Sequence, residues 1–166
     1  MSQAANRAEN QTTGANEFLS VRMGTQEFAL DIKAIREIRG WTPSTPLAHA
    51  PSYIKGMINL RGAVLTIVDL ANRLGLPGTE PKASSVVVVV EVADQVAGIL
   101  VDAVCEIFTA TDEMRQATPH AGDGAAREFV EGLIMMGDRI ISIMSIPAIM
   151  PDAALHGSAE SPLEAA

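Results

Sequence analysis

The chain has 166 residues, 48% of them hydrophobic and only 4% aromatic, with 12 basic against 20 acidic side chains and a formal net charge of -8. A charged fraction of 19% and a mean hydropathy of +0.20 leave enough apolar surface to offset the entropy of ordering, which excludes a largely disordered chain. A pI near 4.8 excludes a general nucleic-acid binder, which needs clustered cations to displace counterions, so the expected partner is a protein.

Residues 1–16 are small and polar, rich in Gln, Asn, Thr and Ala, and read as a disordered N-terminal arm. From Glu17 the pattern takes period two: Leu19, Val21 and Met23 share one strand face, and Ser20 and Arg22 the other. Gly24-Thr25-Gln26 supplies a turn, after which Phe28, Leu30 and Ile32 resume the alternation, so the two runs read as a hairpin. Ile35–Ile38 is a third short strand. On it Ile35 and Glu37, two residues apart, are expected on one face, an apolar residue beside a charge.

Residues 39–53 hold Gly40, Pro43, Pro46 and Pro51 and read as a surface loop. Ile54–Leu60 and Ala63–Val68 are strands joined by a tight turn at Arg61-Gly62, the second of them apolar on both faces and expected to be buried on both. Asp69 is an N-cap for a short helix over 70–74, which Gly75 and Pro77 stop. Residues 75–84 are rich in Gly and Pro and read as a subdomain boundary.

Ser85–Val92 is a valine-rich strand, since β-branched side chains lose rotamer freedom on a helix and pack well on a pleat. Val96–Phe108 reads as one long run in which Gly98 marks a bend or bulge. A short piece at Thr111–Gln116 and a loop over 117–127 lead to a hairpin, Phe129–Met136 and Arg139–Ile146, turned at Gly137-Asp138. Residues 151–166 read as a disordered tail. Two sets of about five strands predict an all-β fold of two packed five-stranded barrels within residues 17–150.

Chemistry-bearing residues are sparse. Cys105 is the single cysteine, so a disulfide framework and a multi-cysteine zinc site are both excluded. It lies in an apolar strand, where an inert buried thiol is expected; a small hydrolase using it as nucleophile would need a partner histidine. His49, His120 and His156 have no ligand-like spacing, and Asp31, Asp69 and Asp102 do not cluster, so no metal or cofactor is expected. The N-terminus lacks an apolar leader, and no apolar run reaches the ~20 residues of a spanning helix, so a cytoplasmic protein without direct membrane insertion is expected. Arg61, carried on a tight turn, has two readings: a guanidinium fork presented to a carboxylate on a partner, or a turn arginine paired internally with Glu37.

Four segments carry a resemblance. Tyr53–Leu70 (YIKGMINLRGAVLTIVDL) resembles the CheW signature, in which an I-K-G-x-x-N-L-R-G run leads into an I-V-D-L strand. Ile35–Trp41 looks like that family's E-I-R-G-aromatic stretch, with Trp41 where tyrosine is common. Val96–Val104 and Met136–Ile141 resemble its V-G-I-V-V-D-x-V strand and its closing L-G-D-R hairpin.

The resemblance implies two SH3-like barrels and a non-enzymatic adaptor role in chemotaxis, without cofactors. It implies as partners the cytoplasmic tip of a methyl-accepting chemoreceptor, seated between the barrels, and the regulatory domain of the CheA histidine kinase, with recruitment to receptor arrays at the inner face of the membrane. Carried over position by position, Ile35, Glu37 and Arg61 match residues of receptor coupling. CheW-like modules also occur within CheA and CheV, but a chain of this length leaves no room for a kinase or receiver domain. The alternative is a generic small-barrel module serving another receptor–kinase pathway.

Overall fold

The period-two runs fold as strands throughout the computed structural model, which describes residues 16–76, 80–117 and 128–151. In chain order they are β1 (Asn16–Met23), β2 (Gln26–Asp31), β3 (Ile35–Gly40), β4 (Ile54–Leu60), β5 (Ala63–Asp69), β6 (Val86–Val92), β7 (Gln95–Val101), β8 (Ala103–Ala110), β9 (Arg115–Gln116), β10 (Val130–Met136) and β11 (Arg139–Met144). Two short helices, α1 (Leu70–Arg73) and α2 (Ile146–Ile149), follow β5 and β11. Asp69 caps α1 as its sequence position predicts, accepting from the backbone N–H of Asn72 at 3.4 Å, and Gly75 leaves the helix at φ 78°.

The strands form two sheets, a six-stranded one in the order β8-β1-β2-β11-β10-β9 and a five-stranded one in the order β3-β6-β7-β5-β4. Both curl. In the first, the end strands β8 and β9 are consecutive in the chain and joined by a single 3-10 turn, Asp112–Met114. In the second, the chain leaving β3 folds back onto β4, where Thr45 and Met57 exchange backbone hydrogen bonds of 2.8 and 2.7 Å across the seam. Gly56 makes that approach possible: at φ 151° its Cβ would stand 2.6 Å from the Thr45 carbonyl oxygen.

Curling gives each sheet an inside. Leu65, Ile67, Val87, Val89 and Leu100 fill the five-stranded sheet, and Phe18, Ala29, Phe108, Ala110, Ile134, Ile141 and Ile143 fill the six-stranded one. A third and larger core lies between the two sheets, where Leu19, Val21, Phe28 and Leu30 meet Val68, Val88, Val90 and Ile99. The valine run of β6 is thereby explained: odd-numbered valines face their own sheet's interior and even-numbered ones the shared core, so every position is apolar. Each such side chain contributes about 1.5–3 kcal/mol through removal from water.

Four expectations are corrected. The 75–84 connection joins α1 to β6 within the five-stranded sheet, so it does not divide the two sheets. The chain crosses between them at residues 31–35 and 101–103, and the six-stranded sheet combines β1 and β2 with β8–β11. The break in the 96–108 run falls at Asp102, and Gly98 sits mid-strand, where a Cβ would lie 2.7 Å from Val87 Cγ1; its role is close packing. Cys105 is exposed, because the register against β1 passes from Ser20↔Glu106 to Val21↔Val104 and leaves it as the extra residue of a bulge. One of the two sheets has six strands where five were expected. The arm at 1–15, the tail at 152–166 and the histidines at 120 and 156 lie outside the described residues.

Candidate functional site

Arg61 and Gly62 form the two-residue connection between β4 and β5, closed by the Leu60↔Ala63 pair. Their φ values of 50° and 89° are both positive, the geometry whose twist matches that of the flanking strands. Gly62 adopts it freely, and its N–H donates to Asn59 Oδ1 at 2.8 Å. Arg61 adopts it at a cost, and the turn carries its side chain outward with 68% of its surface exposed.

Glu37 lies on β3, at the opposite end of the sheet order, and the curl of the sheet brings the two together. Arg61 Nη2 donates to Glu37 Oε2, and Nη1 reaches Oε1 at 3.5 Å. Arg39 Nη1 approaches the same Oε1 at 3.5 Å. The hydrogen bond from Arg61, opposed by some desolvation and aided by the charges of Arg61 and Arg39, holds the Glu37 carboxyl below the ordinary carboxylate range. Glu37 in turn raises the Arg61 guanidinium above its usual value. Solvent-exposed pairs of this kind add little to stability, so the effect of this one is to fix where an exposed cation stands.

Of the three predicted site residues, Glu37 and Arg61 meet and Ile35 does not join them. The pairing of β3 with β6 steps from Ile35↔Val90 to Glu37↔Val89, so a bulge puts Ile35 on the face of the shared core and Glu37 on the other. Spacing by two implies one face only while the ladder is regular. Two features escaped the sequence reading. Arg39 completes a charged triplet around Glu37. Val64, expected to be buried, is 71% exposed and lines a shallow groove of about 500 Å³ with Pro43, Met57 and Asn59 beside the Arg61 turn. The only signal for Val64 was its position two residues beyond that turn, where a strand has not yet entered the core.

Nothing among the described residues assembles a metal site: no group of three or more His, Cys, Asp or Glu side chains converges. No helix among them is long and apolar enough to cross a membrane.

Residues 17–154 match the family model of the CheW-like domain. The chain is 44% identical over 146 residues to the chemotaxis protein CheW of Rhizobium meliloti, covering 88% of this chain and 94% of that one. It is 33% identical to the CheW of Klebsiella aerogenes, covering 83% of each chain. Among solved structures, the scaffolding protein TtCheW from Thermoanaerobacter tengcongensis is similar with a TM-score of 0.73 at 27% identity, covering 79% of this chain and 89% of that one.

Proposed function

The chain belongs to the CheW family, and from that premise we propose that it is a non-enzymatic adaptor, coupling methyl-accepting chemoreceptors to the CheA histidine kinase in arrays at the inner face of the membrane. The observation that carries this beyond the family is Arg61. It is a guanidinium held outward on a strained two-residue turn, oriented by Glu37 and flanked by a shallow groove of mixed polarity in which Val64 is exposed. A fixed fork of donors beside apolar surface suits a partner that offers a carboxylate next to aliphatic side chains.

An adaptor of this kind transmits signal through binding free energy alone. If receptor and kinase occupy different faces, a receptor state that changes its contacts with the adaptor biases the kinase by the difference in affinity between the two states. Calorimetric titration of the purified chain with a receptor cytoplasmic fragment and with the CheA regulatory domain tests the reading. Binding to both is expected, with Arg61→Ala weakening the receptor titration on the order of tenfold while leaving circular dichroism unchanged. Parent protein that binds neither fragment would sink the assignment, and equal receptor affinity for Arg61→Ala and parent would remove Arg61 from the site.

A further inference from the structure

We propose that Arg73 is a latch between the two subdomains, setting the register at which they pack across their shared core. Arg73 ends α1, on the side of the five-stranded sheet. Its guanidinium carbon lies 4.0 Å from the ring centroid of Tyr53, which precedes β4, and 4.9 Å from that of Phe129, which precedes β10 of the other sheet. Nη2 donates to the carbonyl of Ala148 in α2 at 3.1 Å. Phe129 and α2 are themselves tied, because the Ser145 N–H donates to the Phe129 carbonyl at 2.8 Å. One side chain therefore holds an aromatic ring from each subdomain and a backbone carbonyl 75 positions away.

Apolar burial is non-directional. The shared core beneath, where Ile146, Ile149 and Met150 pack with Val68, Leu70 and Ala71, supplies cohesion but does not by itself select one sliding position of sheet on sheet. A planar guanidinium stacked on rings and aimed at one carbonyl does select one. Gln95 Nε2, donating to the Pro151 carbonyl at 2.8 Å, is the corresponding tie at the end of the same segment. Arg73 Nε is buried with no hydrogen-bond partner among the described residues. A residue placed for stability alone would be an aliphatic chain of the same length, since a buried donor left unpaired is destabilising. A cation retained there fits a role in specifying geometry. The consequence for signalling rests on the adaptor reading: a surface to which both subdomains contribute keeps its shape only while this register holds.

The test uses the full chain with two spin labels, one on the exposed native Cys105 in β8 and one on Val64→Cys in β5, so that each sheet carries one. Double electron–electron resonance then reads the distance between sheets. A narrow distribution is expected with Arg73 in place, a broadened and shifted one in Arg73→Met, and an intermediate one in Arg73→Lys, which keeps the charge over the rings but not the planar fork. An unchanged distribution in Arg73→Met overturns the proposal even if its melting temperature falls, because the arginine is then a packing element only. If Arg73→Met does not fold, Tyr53→Leu removes the nearer ring and leaves the hydrogen bond to Ala148; broadening there supports the latch and an unchanged distribution overturns it. Receptor-fragment binding is measured separately on unlabelled parent protein, so its absence would count against the adaptor reading while the distances still decide the latch.

Discussion

Replacing Gly56 with alanine should open the seam of the five-stranded sheet. At φ 151° an L side chain is strained, at a cost on the order of 1–3 kcal/mol. The new methyl would also stand 2.6 Å from both the Thr45 carbonyl oxygen and Ser44 Oγ. The carbonyl belongs to backbone and cannot rotate away, so relief requires the 44–45 segment to lift. Lifting removes the two hydrogen bonds between Thr45 and Met57, each contributing about 0.5–1.5 kcal/mol net. Because partial opening relieves part of the strain, the total expected is about 2–5 kcal/mol, against about 5–15 kcal/mol for a whole domain.

Urea unfolding followed by circular dichroism should place the Gly56→Ala midpoint well below the parent's. Trp41, the sole tryptophan and half-buried beside the interior that this seam covers, should shift its emission to the red before global unfolding. Gly40→Ala on β3 is the control, since its Cβ would meet nothing within 4 Å. A Gly56→Ala protein with the parent's midpoint and the parent's emission would refute the closure argument.

The Glu27 carboxyl is depressed chiefly by hydrogen bonding to Arg139, so its contribution to stability is present above the ordinary value of 4.5 and is lost as pH falls through the lower folded value; Arg139→Gln should flatten that acid limb in pH-dependent melting. Ala93, exposed at φ 49° in the two-residue turn between β6 and β7, should be improved by Ala93→Asn, with a gain of about 0.5–1 kcal/mol read from urea midpoints; a lower midpoint would refute the turn assignment. Cys105 should react stoichiometrically with a maleimide in the native protein, and labelling seen only after denaturation would contradict its exposure on the bulge.

Much of this architecture is legible in the residues because alternation is a local signal. The alternation Leu19-Val21-Met23 states which face of β1 meets the larger core, although Phe18 and Ser20 on the other face are buried too, and the Arg61–Gly62 turn announces its own geometry. What was not legible is non-local. The exchange of β1 and β2 into the sheet of β8–β11 depends on which hydrophobic face finds which, and a breaker-rich stretch such as 75–84 carries no record of that choice. The bulges at Cys105 and at Ile35–Glu37 also escaped, because an extra residue switches which face the following side chains take and is defined only by pairing with the partner strand. The site was legible by half for the same reason. The Arg61–Glu37 pairing stood as one of two open readings, and only the curl that joins the ends of the sheet order decides that they meet.

Two strand-bridging arginines, one in each sheet, make the separation of structural from functional roles testable. Arg139 donates from Nε and Nη2 to Glu27 at 3.0 and 2.6 Å and from Nη1 to Glu106 at 2.9 Å. Glu27 also accepts from the fully buried Ser20 at 3.0 Å. Every arm of that guanidinium is thus committed to the sheet that carries it. Arg61 meets one carboxylate, which Arg39 shares, and its side chain is 68% exposed against 41% for Arg139. The same substitution should therefore divide the two. Arg139→Gln should lower the unfolding free energy read from urea titration by about 1 kcal/mol after allowance for solvent screening, and leave receptor-fragment affinity unchanged. Arg61→Gln should leave the midpoint unchanged and weaken that affinity. Midpoints that fall equally in both proteins, with affinities that do not move, would make Arg61 a second seam arginine and transfer the search for the receptor contact to the groove beside Val64.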